Sequence, residues 1–275
     1  MKTNYRQELK DARRIVVKVG TSTLTHENGR MNFTRMDRLA MTLSELMNEE
    51  KEIILVSSGS IGVGMGKFNL KKRPAGMGMK QALAAVGQCE LMNIYSRLFA
   101  TYNQTVAQML LTKPDINDEV RKINVLNTFK NLLDLGVIPI VNENDTVSVD
   151  EIKSLMMFGD NDTLSAVVTR LVEADLLIIL SDIDGLYDSN PNENKECHLI
   201  SVVETIDDSI RNCAGKSGSK RGTGGMITKL DAAEIATGAG ANMVIANGAD
   251  PAIIQRILSG EETGTLFVRK PRNKN

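Results

Sequence analysis

The sequence predicts an α/β fold in which helices cover both faces of a mostly parallel sheet. Two observations predict it. Short, continuous, largely β-branched apolar runs recur along the chain, and helical stretches with apolar stripes separate them. Strands that read as unbroken apolar runs are buried on both faces, as parallel strands between helices are.

The first such run is RIVVKV at 14–19, ended by Gly20. The stretch 33–50 reads as an amphipathic helix, because Met36, Leu39, Ala40, Leu43, Leu46 and Met47 recur at the i, i+3, i+4, i+7 spacing. A second buried strand covers 53–57 and runs into a glycine-rich loop that ends at Gly66. A long helix over 80–101, a strand over 105–111 and a helix over 119–135 follow, with Gly136 as the C-cap. A strand over 137–141 precedes a helix over 163–172, whose stripe is Leu164, Val167, Val168 and Leu171. The fifth strand is 176–180. Asn, Pro, Glu and Ser cluster over 187–220, as in loops and hairpins. A helix over 226–239 and a strand–helix–strand series at 243–246, 251–259 and 264–268 complete the chain. Without repeats, low-complexity tracts or a long linker, 1–275 reads as one domain. Its N-terminal half is about 14–172 and its C-terminal half about 173–268.

Composition narrows the function. A 42% hydrophobic and 24% charged chain is an ordinary globular one. A net charge of -1 supplies no bulk attraction to nucleic acid or an anionic membrane. The first 14 residues are too polar for a signal peptide, and no apolar run approaches the roughly 18 residues that span a bilayer. Cys89, Cys197 and Cys213 are far apart and form no CxxC pair, so a reducing cytoplasm is expected. His26 and His198 have no metal-ligand spacing and read as surface residues. The Lys71, Lys72, Arg73 run reads as a solvated loop.

Ligands of such folds bind at the carboxyl ends of the strands, and the chemistry-bearing residues gather there. In KVGTS at 18–22, Lys18 sits just inside a core strand; an unpaired buried ammonium is costly, so it either meets an anion or snorkels to solvent. SSGSIGVGMG at 57–66 offers backbone N–H groups or a plain tight turn, but no GxGxxG, which argues against a nicotinamide-dependent dehydrogenase. VNENDT at 141–146 suits a small zwitterion: its oxygens can accept from an ammonium and its amides can donate to carboxylates. In FGDNDT at 158–163, Asp162 is expected to cap the following helix. LSDIDGLY follows the fifth strand at 180–187. GTGGMITK at 222–229 leads into a helix whose positive end favours phosphate, and Lys229, read as an exposed first-turn lysine, opposes the dipole unless it serves an anion. AGKS at 214–217 is no P-loop, since Ile210 stands where GxxxxGK[ST] needs glycine.

Taken in order, VVKVGTS, SSGSI, NEND, GDND and GTGGMxTK resemble the glutamate 5-kinase (gamma-glutamyl kinase) family of the amino acid kinase superfamily, as does KQALAAVGQ at 80–88. The resemblance spans about Arg14 to Phe267. It implies an αβα sandwich, with the amino acid bound by the N-terminal half and the nucleotide by the C-terminal half. It implies the ATP-dependent conversion of L-glutamate to glutamyl 5-phosphate, the first step of proline synthesis. By that resemblance Lys18 and Lys229 hold the phosphates and Asp162 orients them. Ser58, Asp145 and Asn161 contact glutamate. Ser181, Asp182, Thr223, Gly224, Gly225, Met226, Ile227, Thr228 and Lys229 contact ATP. ATP and Mg²⁺ are the implied cofactors. Proline is the implied feedback inhibitor, and further copies of the chain are the implied partners. Many members carry a C-terminal RNA-binding-type module, and this chain stops soon after Phe267, so no nucleic-acid role is expected. Members also join EIK to GDND closely, whereas SLMM at 154–157 lengthens that join here. A sister kinase acting on another carboxylate or a nucleotide, and a non-catalytic amino-acid sensor, remain alternatives.

Overall fold

The computed structural model describes residues 5–26, 30–147, 158–189, 194, 196–215 and 225–271. After a 3₁₀ turn at Gln7–Asp11, the elements are β1 (Arg14–Val19), α1 (Thr21–Leu24), α2 (Phe33–Asn48), β2 (Glu52–Ser57), α3 (Ser60–Lys67) and α4 (Met77–Thr101). Then come β3 (Val106–Leu111), α5 (Lys113–Asn117), α6 (Glu119–Asp134), β4 (Ile138–Glu143), a 3₁₀ turn at Asp145–Val147, and α7 (Asn161–Leu171). The chain continues with β5 (Leu176–Ser181), β6 (Val202–Val203), α8 (Asp208–Gly215), α9 (Met226–Gly238), β7 (Asn242–Asn247), α10 (Ile253–Leu258) and β8 (Thr265–Phe267).

The eight strands form one sheet in the order β3-β4-β2-β1-β5-β7-β8-β6. The six strands from β3 to β7 run parallel, so their carboxyl ends share one edge; β8 pairs antiparallel to β7. The sheet has a core on each face, and the two-residue strand period sorts side chains between them. Ile15, Val17, Leu55, Ile178 and Val244 point to one face, against Leu39 and Leu43 of α2, Leu91 and Phe99 of α4, and Ile257 of α10. Val16, Ile54, Val56, Ile179 and Ile245 point to the other, against Phe129 of α6, Leu164 and Val168 of α7, and Leu230 and Ala233 of α9. This is the αβα sandwich. Among the described residues, no helix is long and apolar enough to cross a membrane.

Two local expectations are corrected. The segment 57–66 is a loop only as far as Gly59; from Ser60 it is α3. Glycine weakens a helix interior, but α3 packs directly on α4, and there glycine is required. A Cβ on Gly64 would lie 2.1 Å from the Leu83 carbonyl oxygen, and one on Gly87 would lie 1.7 Å from that of Ser60. Gly64 and Gly87 allow the two helices to touch, while Gly59 and Gly62 line the cavity at the strand ends. Second, the cap of α7 is Asp160, whose carboxylate accepts from the Thr163 N–H at 2.8 Å and from its hydroxyl at 3.0 Å. Asp162 lies inside the first turn, and its side chain is free for another task. The lengthened join at 154–157, with Thr223 and Gly224, lies outside the described residues.

Candidate active site

The strand order reverses direction around β1. From β1 the chain moves outward on one side to β2, β4 and β3, and then crosses to β5 on the other. Such a switch point opens a crevice at the strand ends. A cavity of about 680 Å³ lies there. The tips that line it follow the sheet in lateral order: Asn142, Glu143 and Asp145 at or just after the end of β4, Ser58 and Ser60 after β2, Lys18, Gly20, Thr21 and Ser22 at or just after the end of β1, and Ser181 and Asp182 at the end of β5. Asp160, Asn161 and Asp162 reach in from the start of α7, and Lys229 from the first turn of α9.

At the centre, one carboxylate holds two ammonium groups. Asp162 Oδ1 lies 2.7 Å from Lys18 Nζ and Oδ2 lies 3.1 Å from Lys229 Nζ. The Thr228 hydroxyl is 3.2 Å from the same Oδ2 and also 2.8 Å from the Gly225 carbonyl oxygen. All three charged residues are buried: Asp162 is 2%, Lys229 5% and Lys18 8% exposed. Lys229 is therefore not the exposed lysine that its place in a first turn suggested. It enters the interior because α9 packs flat on α7 and Asp162 supplies its counter-charge. Burial alone would raise the Asp162 carboxyl, but the two lysines and their hydrogen bonds outweigh it and hold it below the usual carboxylate range. The cluster carries one surplus positive charge, aimed into a polar cavity.

On the β4 and β2 side the chemistry changes. The Asn161 amide NH₂ lies within reach of the Ser57 carbonyl (3.1 Å), the Ser58 hydroxyl (2.8 Å) and Asn142 Oδ1 (3.0 Å). Asn142 in turn donates to Gln88 of α4 at 2.9 Å and accepts from the Glu143 N–H at 2.9 Å. Neighbouring strands and helices are thus linked through one amide chain, which fixes how Asn161 is presented. The Ser60 hydroxyl donates to Asp145 at 3.1 Å. Glu143 accepts from the Phe158 N–H. Burial, with the charges of Asp145 and Asp160, pushes its carboxyl up to about 7 against the opposing pull of the Phe158 and Gly159 N–H groups. Carboxylate and carbonyl oxygens here can receive an ammonium, as the NEND pattern suggests.

On the other side, the Ser181 hydroxyl donates to Asp182 at 3.1 Å, and both residues line the cavity. Of the start of α9, Lys229 lines the cavity; Met226 is buried in the core, Ile227 is 54% exposed, and Gly225 is the N-cap. Thus Lys18, Asp162 and Lys229 come together with Ser58, Asp145, Asn161, Ser181 and Asp182. Sequence reasoning passed over Arg73, Lys80 and Asp160, which also line the cavity. Lys80 carried a usable signal, since it too is a lysine in the first turn of a helix. His26 and His198 are exposed and absent from the lining, and the three cysteines are free.

The amino acid kinase family profile matches residues 13–247. The glutamate 5-kinase of Clostridium perfringens is 56% identical over 265 residues, covering 96% of this chain and 98% of that protein. That of Enterococcus faecalis is 53% identical over 264 residues, covering 96% and 97%. A solved carbamate kinase from Giardia lamblia, bound to AMP-PNP, superposes with a TM-score of 0.67 over 95% of this chain and 100% of that one; at 14% identity it shares the fold. The chain belongs to the amino acid kinase family and, within it, to the glutamate 5-kinase group.

Proposed function

We propose that this protein transfers the terminal phosphoryl group of ATP to the side-chain carboxylate of L-glutamate, giving glutamyl 5-phosphate and ADP, the first step of proline synthesis. The observation that carries this reading is the buried Lys18–Asp162–Lys229 array between two chemically different flanks. Glutamate fits the β4 and β2 flank, with Asp145 toward its ammonium and Ser58 and Asn161 beside it. ATP fits the β5 flank, with Ser181, Asp182 and the start of α9 around the nucleotide.

A glutamate side-chain carboxylate has an unperturbed pKa of about 4.3 and is ionised at neutral pH, so attack needs no general base. The obstacle is electrostatic, because an anion must approach a polyanion in line. Charge then spreads over the transferring group, and catalysis is positioning plus cationic stabilisation. Lys18 and Lys229 supply two fixed ammonium groups, and Asp162 keeps them apart and oriented before substrate arrives. No side chain needs to change its protonation.

Magnesium fits this site as a companion of the nucleotide. Among the described residues no cluster of three or more His, Cys, Asp or Glu side chains could hold a metal. Mg²⁺ on ATP takes phosphate oxygens and waters as most of its shell and neutralises part of their charge. Outside the lysine cluster the lining carboxylates are Glu143, Asp145, Asp160 and Asp182.

The test is ATP turnover against a panel of carboxylates, with hydroxylamine trapping the acyl phosphate. Turnover is expected to require L-glutamate and Mg²⁺. Equal or better turnover with acetylglutamate or aspartate would replace glutamate as the substrate. We also propose that proline inhibits in competition with glutamate, since it shares the ammonium and α-carboxylate that the NEND flank suits. Raising glutamate should relieve the inhibition. A rate unchanged by a large excess of proline at low glutamate overturns this second proposal.

A further inference from the structure

We propose that Lys80 is a specificity residue that binds the α-carboxylate of the amino-acid substrate; this rests on the glutamate reading above. Glutamate presents three charges. The reacting carboxylate must meet the Lys18–Lys229 end, and the ammonium has Asp145 and its neighbours. The α-carboxylate needs a cation that is not already committed to the transferring phosphoryl group.

The described lining of the cavity contains four cationic side chains: Lys18, Lys229, Arg73 and Lys80. The first two share Asp162. Neither Arg73 nor Lys80 makes an ion pair or a side-chain hydrogen bond among the described residues. Of these two, Arg73 is exposed on a loop, while Lys80 is half-buried on the first turn of α4. A lysine at that end of a 25-residue helix opposes the helix dipole and has no carboxylate to offset it. An anionic ligand in the cavity would satisfy both.

Position selects which anion. α4 packs on α3, which follows β2, and on the 3₁₀ turn that follows β4. Its residues Gln88 and Gly87 touch Asn142 and α3 respectively. Lys80 therefore approaches from the β4 and β2 flank, and β1 separates that flank from Ser181 and Asp182 on β5. Its place in the lining is thus on the amino-acid side, and the nucleotide side is left to Lys18, Lys229 and α9.

The probe is 4-aminobutyrate, which keeps the ammonium and the reacting carboxylate of glutamate and lacks only the α-carboxylate. A site built to pair that group should reject its absence strongly. In the wild type, kcat/KM for glutamate should exceed that for 4-aminobutyrate by a large factor. Lys80→Met keeps the aliphatic stem, removes no ion pair and is expected to fold. It should raise the KM for glutamate at least about tenfold and shrink the glutamate to 4-aminobutyrate ratio by a similar factor, with the KM for ATP within about twofold. Lys80→Arg, which keeps the charge, should retain most of the preference. An unchanged ratio in Lys80→Met, a Lys80→Arg protein that behaves like it, or an effect confined to the KM for ATP each overturns the assignment. A wild type with no glutamate-dependent turnover refutes the glutamate reading instead, and is seen before any variant is compared.

Discussion

Asp162→Asn is expected to lower kcat by at least about tenfold, or about 1.4 kcal/mol of barrier, and also to destabilise the fold. The two side chains have nearly the same shape, so only the charge is lost. The helix cap is not involved, because Asp160 provides it. Asn caps about as well as Asp, so Asp160→Asn is the stability control and should leave thermal unfolding nearly unchanged. At position 162 the outcome differs. The carboxylate is 2% exposed and compensates two lysines at 2.7 and 3.1 Å. Without it, two buried ammonium groups face each other, and removing one partner from a buried ion pair costs about 3–5 kcal/mol. The pH dependence has a definite sign. The Asp162 pKa is lowered on folding, so its contribution is present above the unfolded value of about 3.9 and is lost as pH falls through the lower folded value. The stability gap between wild type and Asp162→Asn should thus be full at neutral pH and close only in acid. Urea unfolding and steady-state kinetics, run where the variant is folded, read the two effects separately. The KM values should move less than kcat, because misplaced lysines matter most in the transition state. A folded variant with a wild-type kcat removes Asp162 from the catalytic machinery.

How far the sequence carries can be judged from this same cluster. The strands that present it were legible because an unbroken apolar run has one reading in an α/β chain: 14–19 was expected and Arg14–Val19 is observed. Helix α2 was legible because its apolar stripe repeats at helical spacing. Helix α3 was not, since four glycines in ten residues read as a loop. For Gly64 the reason lies in α4, 19 residues away, where the Leu83 carbonyl leaves no room for a Cβ; Gly59 instead holds a positive φ of 102° beside Thr21. Lys18 and Lys229 could be named from the cost of burying or misplacing a lysine. The depth of Lys229 could not, because it depends on α7 and α9 packing side by side. The Asp160 cap was missed because GDND offers two aspartates two residues apart, and only the backbone turn decides which one accepts from Thr163. Lys80 entered only as the first residue of the KQALAAVGQ stretch and was given no role, although the dipole argument applied to Lys229 applies to it equally.

Lys229→Met is expected to reduce turnover by about a hundredfold or more, the usual consequence of deleting a fixed donor to a developing charge. An exposed first-turn lysine would be replaceable within about 0.5 kcal/mol, but this one is 5% exposed and 3.1 Å from Asp162. Its loss leaves Asp162 with Lys18 at 2.7 Å and the Thr228 hydroxyl at 3.2 Å. That is partial compensation, so the stability loss should be about 1.5–3 kcal/mol, the range for a hydrogen bond to a charged group. It should be smaller than that of Asp162→Asn, which strands two charges where this change removes one. The order of the two variants in urea therefore tests the geometry independently of the rates. Activity separates the roles further. In Lys229→Met the cluster loses its surplus positive charge and becomes neutral overall, so binding of ATP should weaken along with kcat, whereas Asp162→Asn raises the local charge and should spare ATP binding. Equilibrium binding of a non-hydrolysable ATP analogue to both folded variants measures this difference. If Lys229→Met binds the analogue as the wild type does and keeps its turnover, Lys229 is a partner of Asp162 and nothing more, and the phosphate site must be sought elsewhere along the β5 edge.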